Sequence, residues 1–142
     1  MKKSALASAC AVAALLMAGP ALAGPAADKA KAHIDAIAKG DVGAIMAAYT
    51  ATATLHWVGG PLDGTYAGAD KLKELWGKFG KAQGALKATV TNLAESANPK
   101  GATVTANVVF AGQSTVKVRY VMFFRGDQLV DEIWQVDPNL AN

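Results

Sequence analysis

Between Asp41 and Gly68 the apolar spacing of the chain switches from helical to alternating and then breaks at glycines, and this succession restricts the fold more than any other feature. Residues 42–49 place Val42, Ile45, Met46 and Tyr49 on one helical face behind Asp41, a good N-cap. From Thr52 to Val58 the residues become β-branched or aromatic and alternate at period two, which marks a strand. Gly59-Gly60-Pro61 stops it, and a Gly-rich return follows. A helix, a strand and a return in direct succession describe the wall of a small cone-shaped pocket.

The flanking segments complete the plan. Upstream, Ala30, Ile34 and Ile37 recur at helical spacing up to a Gly40 stop. Downstream, Asp70 is the expected cap of a third helix from Lys71 to about Phe79, with Leu72, Leu75, Trp76 and Phe79 on one face. Strands are expected at Leu86–Leu93, Thr103–Phe110, Ser114–Arg125 and Leu129–Val136. Asn98-Pro99-Lys100-Gly101, Ala111-Gly112-Gln113 and Gly126-Asp127 separate them by turn chemistry. The expected fold is α+β: a cone-shaped, curved antiparallel sheet wrapped around three N-terminal helices.

Residues 1–23 have the physics of a secretory signal: Lys2 and Lys3, an apolar run from Ala5 to Met17, and Ala21-Leu22-Ala23 before Gly24. A retained anchor is the alternative, but Gly19-Pro20 interrupts a run already shorter than the roughly 20 residues a spanning helix needs. The expected division is therefore a signal peptide at 1–23 and one domain at 24–142, periplasmic or secreted and free of the membrane after cleavage. Cys10, the only cysteine, goes with the leader, which excludes disulfides and a thiol nucleophile from the domain. Removing Lys2 and Lys3 from 14 basic residues leaves 12 against 11 acidic ones, and no basic cluster interleaves with aromatics, so a nucleic-acid partner is not expected.

Strand alternation sorts the side chains into faces. Leu55 and Trp57 are expected inward, with Thr54, His56 and Val58 outward. On the next-to-last strand Val116, Val118, Tyr120, Met122 and Phe124 share the apolar face. The last strand divides into Val130, Glu132, Trp134 and Val136 against Leu129, Asp131, Ile133 and Gln135, and neither set is clearly apolar.

Polar tips on apolar surfaces need a partner or a ligand. His33, Tyr49, Tyr120, Trp57 and Trp76 are the positions of that kind, and each is also compatible with plain core filling. His33 and His56, the only histidines, are not spaced as a helical metal pair, so neither a metal nor another cofactor is expected. Gly59-Gly60 precedes no helix start and is not a phosphate loop. Ser96 and Ser114 lie at turns without an adjacent base.

The segments GDVGAIMAAYTATATLHW, PLDGTYAG, KLKELWGKF and RYVMFFRGDQLVDEIWQVD resemble the nuclear-transport-factor-2-like superfamily, in particular its SnoaL-like polyketide cyclase and ketosteroid isomerase branch. The likeness spans nearly all of residues 24–142 and specifies fold better than function. It implies that His33 stands where the steroid isomerases carry an oxyanion-hole tyrosine. By the same likeness Trp57 occupies the place of their aspartate base, Tyr120 that of their protonated aspartate, and Trp76 that of a pocket aromatic. The aspartate usual before the first strand is replaced by Thr52. A tryptophan cannot abstract a proton, so the isomerase route lacks its base, and acidic substitutes near the cavity reduce to Asp131 or Glu132, whichever points inward.

Three roles follow as expectations. The first is a binding domain for a small hydrophobic or aromatic molecule, its pocket lined by Tyr49, Leu55, Trp57, Trp76 and Trp134. The second is an isomerase, dehydratase or cyclase on a carbonyl compound, with His33 and Tyr120 as acid/base groups. The third is an interaction role, a homodimer through the outer sheet face, where Thr103, Thr105, Asn107, Lys117 and Arg119 also read as ordinary solvent-facing positions.

Overall fold

A computed structural model describes residues 24–141, and the expected leader at 1–23 lies outside the described residues. Three helices, α1 (Pro25–Lys39), α2 (Val42–Ala47) and α3 (Ala69–Gln83), and six strands make up the domain. The strands are β1 (Tyr49–Val58), β2 (Gly64–Ala67), β3 (Lys87–Asn98), β4 (Gly101–Ala111), β5 (Thr115–Arg125) and β6 (Gln128–Val136). They form one open, curved sheet in the order β2-β1-β6-β5-β4-β3. All pairs are antiparallel except β1 with β6, which run parallel, a departure from the all-antiparallel sheet expected.

The helices cover one face of the sheet. The stripe Ala30, Ile34 and Ile37 of α1 and the stripe Leu72, Leu75, Trp76 and Phe79 of α3 are buried against inward residues of β1, β4, β5 and β6. Burying that apolar area is the main driving force of the fold. Gly40 ends α1 in the left-handed conformation at φ 69°, and Asp41 accepts a hydrogen bond from Ala44 N at 3.0 Å, so the expected stop and cap both form.

Several boundaries differ from the sequence expectation. Helix α1 begins at Pro25, five residues before its apolar stripe, because proline suits the first helical turn. The cap of α3 is Gly68, without a side-chain bond; Asp70 sits inside the first turn, where its charge suits the helix N-terminus. Tyr49 leaves α2 and opens β1, because β6 captures the backbone there: Leu129 N bonds Ala48 O at 2.9 Å and Tyr49 pairs with Leu129. The return after Gly60 contains a further strand, β2, paired with β1 through Leu55 and Tyr66.

Candidate functional site

The interior of the domain is an aromatic stack centred on Trp134. This ring lies 4.8 Å from Trp57 and 5.1 Å from Phe110, stacked on both. Trp76, Phe79 and Tyr120 meet it edge-on at 5.4, 5.7 and 5.1 Å. The edge-to-face and stacked geometries are those that aromatic quadrupoles favour.

Beside the stack sits a carboxyl group. Glu132 is only 2% exposed and accepts hydrogen bonds from Tyr49 Oη and, at 2.5 Å, from Tyr120 Oη. Trp76 Nε1 donates to Tyr49 Oη at 2.9 Å, which commits the Tyr49 proton to Glu132. The chain from Trp76 through Tyr49 to the accepting Glu132 is thus polarised toward the carboxyl group, and Tyr120 donates to it from the other side. His33 Nε2 lies 3.6 Å from Glu132 Oε2, close enough for electrostatic attraction and beyond hydrogen-bond range. Burial first, then the charge of Glu132, pushes the hydroxyls of Tyr49 and Tyr120 well above the ordinary tyrosine value.

Of the two acidic residues expected near the cavity, Asp131 and Glu132, it is Glu132 that points inward. A β-bulge lies just before it: Phe124 pairs with Leu129 and Phe123 with Asp131, so Val130 is an extra residue in β6. Past the bulge the alternation is reset, and Leu129, Glu132 and Trp134 all face inward. Strict alternation could not put Leu129 and Trp134 on one face. Those two large apolar residues of opposite parity were the one signal in the sequence that a bulge intervenes.

The expected acid/base pair converges on this same group. The rings of His33 and Tyr120 are 6.4 Å apart; Tyr120 bonds Glu132 Oε2 and His33 lies beside that oxygen without a hydrogen bond. Trp134 and Trp57 point inward, while His56 points outward and lies 3.3 Å from Asp131. Thr52 is exposed on a stretch of β1 where the pairing with β6 shifts register.

An apolar recess lies at one end of the stack. It is a cleft of about 320 Å³ between the Gly59–Leu62 turn, the second half of α3 and the strands β5 and β6. Trp57, Leu62, Phe79, Val116 and Val136 form its apolar walls. Of the five residues expected to line a pocket, Trp57 alone borders this cleft; Tyr49, Leu55, Trp76 and Trp134 are buried behind it. The contacts order the molecule inward from the cleft. Trp57 and Phe79 come first, then Trp76 and Trp134, then the cluster of Tyr49, Tyr120, His33 and Glu132. The side chains of His33 and Glu132 are fully covered, so the acid cluster does not open into the cleft.

Among the described residues no group of three or more His, Cys, Asp or Glu side chains is placed to hold a metal ion, and no helix is long and apolar enough to cross a membrane.

A helix-covered, open, curved sheet with a polar cluster inside its aromatic core defines an α+β class of small cone-like domains. The chain belongs to the SnoaL-like domain family, whose model matches residues 30–131. No curated protein matches the chain in sequence. Among solved structures it is similar to a nuclear-transport-factor-2-like protein of unknown function from Pseudomonas putida, with a TM-score of 0.69 and 15% identity over 81% of this chain and 92% of that one. A protein of unknown function with a cystatin-like fold from Nostoc punctiforme gives 0.63 and 16%, over 80% and 89%. A ketosteroid isomerase-like protein from Erwinia carotovora atroseptica gives 0.61 and 15%, over 77% and 91%. Identities this low establish the shared fold alone.

Proposed function

We propose that the protein binds a small, largely apolar or aromatic molecule in the cleft beside Trp57. The observation that carries this reading is the cleft itself: about 320 Å³ of space walled by Trp57, Phe79, Leu62, Val116 and Val136, within the size range of small-molecule sites. The affinity would come from apolar area removed from water against two aromatic faces. Trp57 is pre-organised for the task, because its Nε1 bonds Gly59 O at 3.0 Å and its ring is stacked on Trp134.

The test is a titration of the domain with neutral aromatic compounds, read by tryptophan emission and by thermal unfolding. A ligand at about 100 times its Kd should stabilise the fold by roughly 2.7 kcal/mol. Ala82 is an exposed α3 residue on the cleft wall, and Ala82→Trp should fill the cleft and remove both responses without unfolding the protein. A wild-type protein that gives neither response to any compound in the panel overturns the reading.

A second reading, proton transfer on a carbonyl compound, draws on the interior cluster. His33 Nδ1 and Nε2 and Trp134 Nε1 are buried without hydrogen-bond partners among the described residues, which leaves donor and acceptor capacity beside Glu132, Tyr49 and Tyr120. This route requires Trp57 and Trp134 to move aside, and it makes Glu132 an acid/base group beside His33 and Tyr120. Conversion of a cyclic enone or hydroxyketone that Glu132→Gln abolishes would support it; unchanged turnover by that variant would remove it.

Export of the domain is part of the same proposal and rests on the composition of residues 1–23. The mass of the protein recovered from the cell envelope or medium tests it, with a start near Gly24 as the expected result. A homodimer through the outer sheet face draws support from Val58 and Ile133, which are 44% and 42% exposed there. Sedimentation as a strict monomer would exclude it.

A further inference from the structure

Among the described residues a single cation stands at the edge of the cleft, and that charge is already answered. Lys78 borders the cleft, but its Nζ lies 2.8 Å from Glu74 Oε1, one helical turn back on α3. Glu74 does not border the cleft. It lies in the neighbouring depression with Leu62, Tyr66, Lys71 and Leu75, so the pairing draws the Lys78 ammonium away from the apolar slot. The hydrogen bond and charge of Glu74 raise the Lys78 ammonium above its usual value, and those of Lys78, with Lys71 adding its charge, hold the Glu74 carboxyl below its own.

Several other polar atoms around the cleft are engaged within the protein. Trp57 Nε1 donates to Gly59 O, and Gly59 N donates to Asp63 Oδ1 at 2.7 Å. Leu62 O accepts from Tyr66 Oη at 2.7 Å, and Gln83 Oε1 accepts from Ser114 Oγ at 2.6 Å. A ligand carboxylate placed among Trp57, Phe79, Val116 and Val136 would therefore shed water without finding a free counter-charge. It could gain one only by taking Lys78 from Glu74.

We propose that Glu74 is a specificity-determining residue: by neutralising Lys78 at the rim, it makes the cleft select uncharged ring systems over aromatic carboxylates of the same shape. The inference rests on the cleft being the ligand site. The pair is exposed, with side-chain exposures of 64% for Lys78 and 57% for Glu74, so the selectivity is moderate and depends on ionic strength.

Naphthalene-2-carboxamide and 2-naphthoate are matched in shape and differ in charge, and calorimetric titration of the wild-type protein and Glu74→Gln with each separates the possibilities. In low salt the wild type should bind the carboxamide about tenfold more tightly than the carboxylate. Glu74→Gln should leave carboxamide binding unchanged and bring the carboxylate to within about threefold of it, and added salt should reverse that gain. Equal binding of both compounds by the wild type, or an unchanged ratio in Glu74→Gln, overturns the role of Glu74 while leaving the cleft as the site. Binding of neither compound removes the cleft reading, and the selectivity with it.

Discussion

The cleft at Trp57 and the cluster at Glu132 are built from neighbouring aromatic residues and differ in what they leave free. In the cluster, two hydroxyls, one of them backed by an indole, donate to one carboxyl group that solvent does not reach, with an imidazole beside it. In the cleft, the bordering Lys78 ammonium and Trp57 indole are tied off and the walls are apolar and open. The same fold thus separates its polar chemistry from its accessible space, with Trp57 and Trp134 as the partition. The difference teaches that an inward-pointing acid does not by itself make an active site; access decides.

Removing the partition should have the largest effect. Trp134→Ala deletes the centre of the stack and should cost about 4 kcal/mol of stability by chemical denaturation, and a cost under about 1 kcal/mol would mean that the interior is loosely packed. Next comes the carboxyl group: Glu132→Ala orphans the hydroxyls of Tyr49 and Tyr120 and should cost about 3 kcal/mol. If that variant were as stable as the wild type, the cluster would not be the closed network its hydrogen bonds describe.

The pH dependence sharpens the same contrast. The folded state keeps the Tyr49 and Tyr120 hydroxyls protonated well beyond the ordinary value, while the unfolded chain releases those protons near pH 10. Stability should therefore be full below about pH 10 and fall above it, by up to roughly 1.4 kcal/mol per pH unit for each tyrosine. Tyr49→Phe or Tyr120→Phe should each remove one tyrosine's share of that alkaline slope, measured by denaturant titration at successive pH values. The smallest effect on stability is expected at the cleft, where Ala82→Trp should change it by less than about 0.5 kcal/mol while abolishing ligand binding.

The elements were legible in the sequence where a local signal agreed with packing. The α1 stop at Gly40, the Asp41 cap, the inward face of β5 and the buried stripe of α3 all follow from spacing and capping. The site was less legible because its geometry depends on pairing. Tyr49 belongs to a strand only because β6 lies alongside it, and Leu129 shares the inward face of Glu132 and Trp134 only because Val130 is bulged out of β6. Strand β2 is four residues long, exposed at alternate positions and set between glycines, so nothing in its composition separated it from a turn. The distinction between a pocket lining and a packed core was also out of reach, since Trp57 and Trp134 carry the same residue type and the same inward orientation.

The most direct test uses the three indole N–H signals of Trp57, Trp76 and Trp134 in a nitrogen-15 spectrum, followed as a neutral aromatic ligand is added. The Trp57 signal should shift with saturation, while those of Trp76 and Trp134 should stay close to their unliganded positions. Saturable shifts centred on Trp76, Trp134 and the His33 ring, with Trp57 unmoved, would place the ligand in the Glu132 cluster and contradict the separation of the two regions.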